Sequence, residues 1–171
     1  MKRIFLYVVL IGFMVVLQKT ALPAILHHGY LPDLVMMFVL AWTIAFGFEN
    51  SLWLAIGAGS VYDLLSFVPI GTHVLIFVLI IYLVSFFSRR FSVDLKGTGV
   101  LLVLFFILAS QIGSHMLLIL AAGFESGFWK EFIGSLGNFK QFVLETLINC
   151  LLFFVNYAFL KRNKKNYLQI K

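Results

Sequence analysis

Charge is what this chain has least of. Only 12% of its 171 residues are Asp, Glu, Lys or Arg, where a soluble domain carries about a quarter. Seven acids and thirteen bases cannot clothe a chain that is 62% apolar, so an ordinary water-facing surface is excluded and lipid becomes the expected solvent. Cysteine is nearly absent. The single Cys150 lies inside an apolar run, can form no internal disulfide and reads as a small buried side chain. Prolines number three, and no internal repeat, low-complexity tract or domain linker interrupts the chain, which leaves room for one domain.

Arrangements that carry catalysis are missing as well. His27, His28, His73 and His115 are scattered, with no acid or cysteine at metal-ligand spacing. No serine has a nearby histidine base or a nucleophile-elbow glycine pattern. Gly57-Ala58-Gly59 falls within an apolar helix rather than after a strand, so it is no phosphate loop. No enzyme activity, cofactor or metal is expected. The +6 net charge is not a nucleic-acid footprint either, because the basic residues cluster at the ends of apolar runs.

What the chain does have is long apolar runs, and a crossing uses about 20 residues. Six spans are expected: Ile4 to about Ala24, Leu31 to Phe48, Ser51 to about Phe67, Ile70 to Phe87, Gly99 to about Ala122, and Phe142 to Leu160. Continuous runs of this kind are helical, since barrel strands alternate and open strand edges in lipid leave backbone groups unpaired. The expected fold is therefore an all-α integral membrane protein, a six-transmembrane-helix bundle within a single domain, 1–171. The first run also has the look of a signal peptide, but a retained anchor suits a chain whose later segments are equally apolar. Pro32 is expected at the first helical position of the second span, with Asp33 facing the positive end of the helix dipole. The connection from Gly123 to Gln141 is the longest, and Phe128 and Trp129 within it suit a lipid–water boundary.

Lys and Arg counts orient the bundle. Lys2 and Arg3, then Arg89, Arg90 and Lys96, then Lys161, Arg162, Lys164, Lys165 and Lys171 fall on one side; Lys19, Lys130 and Lys140 fall on the other. Ten against three places both termini in the cytoplasm.

Ionisable residues inside spans are the functional suspects, because each is costly there. Asp63 sits in the outer half of the third span near its C-terminus, the wrong dipole end for an anion. The free N–H groups of Gly71, Thr72 and His73 can compensate it, tying the third span to the fourth; the alternative is a water-facing Asp at the interface. Gln111, Ser114 and His115 share one face of the fifth span, and Glu145 and Asn149 one face of the sixth. These faces point inward, either to form an outer polar pocket or simply to hydrogen-bond between helices. Ala55 and Gly59, four apart, mark a face open to close helix approach, internal or with a partner. The basic run after Leu160 reads as a charge anchor.

One stretch resembles a known family. Leu31-Pro32-Asp33-Leu34 opens a helix; a small-residue helix ends Gly59-Ser60-Val61-Tyr62-Asp63-Leu64-Leu65-Ser66; Pro69-Ile70-Gly71-Thr72-His73 then turns into another apolar helix. Order and spacing resemble the MreD family of bacterial rod shape-determining membrane proteins, although Ile70 replaces a more usual leucine and Thr72-His73 is an unusual form of the turn. The resemblance implies a non-enzymatic scaffold of cell elongation and peptidoglycan synthesis in the bacterial inner membrane. Its implied partners are MreC and, through it, MreB, RodA and a penicillin-binding transpeptidase, with membrane lipid and without nucleic acid. MreD proteins also resemble in fold the substrate-binding subunits of energy-coupling-factor vitamin transporters. An outer polar pocket at Asp63, Gln111, His115, Glu145 and Asn149 would suit that alternative, but the first span lacks a clear run of spaced alanines for docking a coupling subunit.

Overall fold

A computed structural model describes residues 2–25, 32–65, 69–90, 98–122, 134 and 139–168. All regular structure among them is helical. Helix α1 (Lys2–Val16) runs through a π-helical turn (Leu17–Ala21) into a last short turn (Leu22–Ile25). Then come α2 (Leu34–Phe46), α3 (Phe48–Leu64), α4 (Thr72–Arg90), α5 (Thr98–Ala122) and α6 (Phe139–Leu168). His27-His28, Phe128-Trp129 and most of the Gly123-to-Gln141 connection lie outside the described residues.

Helix α2 is the axis of the bundle. Its residues 35–43 are all buried, as is Ala45, and it packs against α1, α3, α4 and α6. A helix apolar all round belongs where every face meets protein. The others show one inward face. In α4 the buried set is His73, Ile76, Phe77, Ile80, Ile81, Val84 and Ser85, the i, i+3, i+4, i+7 spacing of a single helical stripe. The outward faces are no more polar: Phe13, Trp53, Tyr82, Leu101, Leu151 and Phe159 are all exposed. Packing and polar contacts, rather than a contrast between apolar inside and polar outside, must hold such a bundle together.

Among the described residues one helix stretch, Phe142–Arg162, is long and apolar enough to cross a membrane, and shorter apolar helical stretches run over Val9–Ala24, Leu34–Phe46, Thr72–Ser88 and Gly99–Ser114. At 1.5 Å per residue, the 13 residues of α2 reach about 20 Å, short of the 30 Å of a hydrocarbon core. The shortness has a local cause. Gly47 takes a positive φ of 84°, a conformation that favours glycine, and the chain starts α3 at once.

Helices α3 and α4 approach each other closely at Gly59. A Cβ added to Gly59 would sit 2.5 Å from Val74 Cα, so only glycine lets the two backbones meet. Ala55 and Ala58 are fully buried on the same helix. The Ala55/Gly59 face is thus spent inside the bundle and is not open to a partner protein. Two further details differ from the sequence reading. Pro32 lies one residue before the cap, not at the first helical position, because Asp33 itself is the non-helical N-cap (φ −90°, ψ 81°), the role its side-chain acceptor suits best. And α3 spans Phe48–Leu64 rather than starting at Ser51, because Phe48 can enter the helix directly after the Gly47 break.

Candidate functional site

Four helix termini meet at one end of the bundle, and each brings backbone N–H or side-chain groups that need partners. The start of α2 is fully provided for. Asp33 Oδ1 accepts from Met36 N at 3.0 Å, Gln18 Oε1 accepts from Val35 N at 3.2 Å, Leu34 N donates to Pro32 O at 3.2 Å and Met37 N to Asp33 O at 3.0 Å. Asp33's own N–H donates to Asn149 Oδ1 at 2.9 Å, which fastens α2 to α6.

Gln18 is the hub. It is 6% exposed and sits in the π-helical turn, a local rewinding of the kind that re-aims side chains. Gln18 points inward while Lys19 and Thr20 stay exposed. Besides Val35, it donates through Nε2 to Tyr62 Oη at 2.9 Å and to Asp33 Oδ1 at 3.2 Å. One amide therefore joins the first helical segment, α2 and α3.

The other pair of termini, the end of α3 and the start of α4, is organised by Asp63, which is 2% exposed. Its Oδ2 accepts from Gly71 N at 2.8 Å, and its Oδ1 from His73 N at 2.9 Å and from His73 Nδ1 at 2.7 Å. A carboxylate can only accept, so the Nδ1 proton belongs to His73. Thr72 N goes to Pro69 O instead, at 3.2 Å. Gly71 presents its N–H from a positive φ of 100°, a geometry that favours glycine there. Tyr62 lies against His73, ring centroids 4.3 Å apart and planes tilted by 40°, and Lys19 Nζ lies 4.3 Å from the centre of the Tyr62 ring, within cation–π range.

Between these two knots is a partly open cavity of about 210 Å³. Lys19, Asp33, Tyr62, His73, Gln111, Glu145 and Asn149 supply its polar wall, and Met36, Met37, Ile76 and Phe77 its apolar one. Gln111 Oε1 accepts from Thr146 Oγ1 at 3.0 Å, a bond between α5 and α6. Gln111 Nε2 is buried with no partner at bonding geometry, although Glu145 stands close enough to interact with that side chain.

Of the residues singled out by sequence, Asp33, Gln111, Glu145 and Asn149 share this cavity. Asp63 and Gly71 lie behind its wall, holding His73 in place. Pro32 is buried beside the cap, Gly59 lies in the α3–α4 contact and Ala55 is buried on the same helix. His115 is on α5, its side chain outside the described atoms. His73 brings the backbone N–H expected to meet Asp63 and adds its ring; Gln18, Lys19, Tyr62 and Thr146 are additions. The break that Gln18-Lys19-Thr20 makes in an apolar run was a signal for the first two; the others carried none. No cluster of three or more potential metal ligands occurs among the described residues.

A family model described as rod shape-determining protein MreD matches residues 1–163, which takes in the site and all but the end of α6. No curated protein matches, and no solved structure matches, so the likeness to energy-coupling-factor subunits gains no support from a known fold.

Proposed function

Because the chain belongs to the MreD family of rod shape-determining proteins, we propose that it is a multi-pass, non-enzymatic scaffold of the bacterial cell-elongation machinery. The family match over residues 1–163 carries this reading. Its helical segments cross the inner membrane with both termini in the cytoplasm, and it acts in peptidoglycan synthesis by packing against partner membrane proteins, MreC first and through it MreB, RodA and a penicillin-binding transpeptidase. The apolar outward faces suit lipid, and a short α2 is tolerable because protein rather than lipid surrounds it. With Ala55 and Gly59 spent internally, partner contact falls to outward faces. Leu147, Leu151, Val155 and Phe159 form such a stripe on α6, each at least 60% exposed.

The test is co-expression with MreC followed by purification of the full chain from the membrane fraction. MreC should co-purify, and Leu151→Arg should weaken its recovery. A chain found in the soluble fraction, or one that never retains MreC, overturns the reading.

A cavity at this end is also what a second reading, the substrate-binding subunit of a vitamin transporter, would require. Its 210 Å³ falls below the roughly 300–1,000 Å³ of sites that enclose drug-sized ligands, which weighs against a vitamin. Uptake of a labelled vitamin dependent on this chain would reverse that judgement.

A further inference from the structure

The cavity wall holds hydrogen-bonding capacity that the fold leaves unused, and of both signs. Gln111 is 6% exposed and its Nε2 has no partner at bonding geometry, with Glu145 the neighbour it can reach; an unmet buried N–H costs about 1–3 kcal/mol. Lys19 rests on the Tyr62 ring and forms no ion pair among the described residues. These are spare donors. On the acceptor side, Asp33 commits Oδ1 to Gln18 and Met36 and leaves Oδ2 without a partner. Glu145 has the Gln111 amide beside it but makes no hydrogen bond of good geometry among the described residues. A simple cation would leave Lys19 and Gln111 unmet, and a simple anion would face two carboxylates.

We propose that this cavity binds an ammonium–phosphate zwitterion, the chemistry of an aminoalkyl phosphate. The ammonium is held by Glu145 and Asp33, and the phosphate by Lys19 and Gln111. At about 30 Å³ per water, the cavity has room for on the order of seven waters, the scale of a headgroup. The mouth passes the exposed Lys19 and Pro23 at the ends of several helices, where the headgroup layer of a membrane lies; to that extent the inference rests on the membrane reading above. Phosphatidylethanolamine and free O-phosphoethanolamine share the required groups.

The full chain, purified in detergent micelles and equilibrated with equal phosphatidylethanolamine and phosphatidylglycerol, is examined by native mass spectrometry. Phosphatidylethanolamine should be retained about 10-fold over phosphatidylglycerol, a difference of about 1.4 kcal/mol. Glu145→Gln should bring the two lipids to parity. Lys19→Gln, at an exposed position where the fold loses only the contact with the Tyr62 ring, should weaken retention and serves if Glu145→Gln does not fold. Added O-phosphoethanolamine separates the sources: displacement of the lipid assigns the site to the headgroup alone, persistence to the whole lipid. Equal retention of the two lipids by the unaltered chain, or a preference untouched by both substitutions, overturns the proposal. A chain absent from the membrane fraction would instead sink the scaffold reading, so the two failures are distinguishable.

Discussion

Asp63 and Glu145 are both carboxylates at the same end of the bundle, and the fold treats them in opposite ways. Asp63 is 2% exposed and accepts from three donors on the start of α4. Glu145 faces a cavity with no hydrogen bond of good geometry. A buried charge survives in a low-dielectric setting when its lone pairs are met. Asp63 meets that condition from within and is a structural clasp. Glu145 is half-buried with only the Gln111 amide beside it, which leaves acceptor capacity facing the cavity. The contrast divides this end of the molecule into a closed half, α3 with α4, and an open half between α2, α5 and α6.

Substitutions can break that division at graded strength. The largest effect is expected at Gly59, one turn before Asp63 on the closed side. Gly59→Val would drive a side chain into the Val74 backbone and force the helices apart, costing about 3 kcal/mol or more. Loss of a cooperative thermal transition in detergent is the expected readout. Asp63→Leu comes next. It strands the N–H groups of Gly71 and His73 and the His73 ring, for roughly 3 kcal/mol at the charged-bond end of hydrogen-bond energies. Asp63→Asn should fall between that and the unaltered chain, because one carbonyl acceptor survives. Equal melting temperatures for all three would mean that the clasp carries no load. Asn149→Ala loses only the bond to Asp33 N, about 1 kcal/mol, and should be visible as a modest drop in melting temperature.

The two halves were not equally legible in the sequence. Asp63 and its partners are eight and ten residues apart, joined by a Pro–Gly turn, so helix ends and backbone valence alone bring the carboxylate to the free N–H groups. The helix start at Pro32-Asp33 was readable locally too, although Asp33 proves to be the cap rather than a residue of the first turn. The open half depends on contacts 44 and 116 residues apart, Gln18 with Tyr62 and Asp33 with Asn149. Those follow from how each helix is rotated about its axis, and in a chain whose outward faces are as apolar as its inward ones, periodicity does not reveal the rotation. The Ala55/Gly59 spacing foretold a close approach but could not say to which helix. Span edges drifted where a single glycine, Gly47, set the break.

The smallest expected effect on stability is the most informative about the comparison. Glu145→Gln keeps the size and shape of the side chain and removes a charge whose neighbour in the fold is the Gln111 amide, out of good bonding geometry. If Glu145 is idle in the fold, the melting temperature of the lipid-free chain should move by no more than about 0.5 kcal/mol allows. A clear destabilisation would mean that Glu145 is a second clasp and the open half is closed after all. A clear stabilisation would mean that the carboxylate costs the empty fold something, as binding groups held without their ligand do. Adding phosphatidylethanolamine should then raise the melting temperature of the unaltered chain and leave Glu145→Gln behind, because a ligand stabilises only the state it binds. The same addition should leave the deficit caused by Asp63→Asn unchanged, since Asp63 lies behind the wall and not in it.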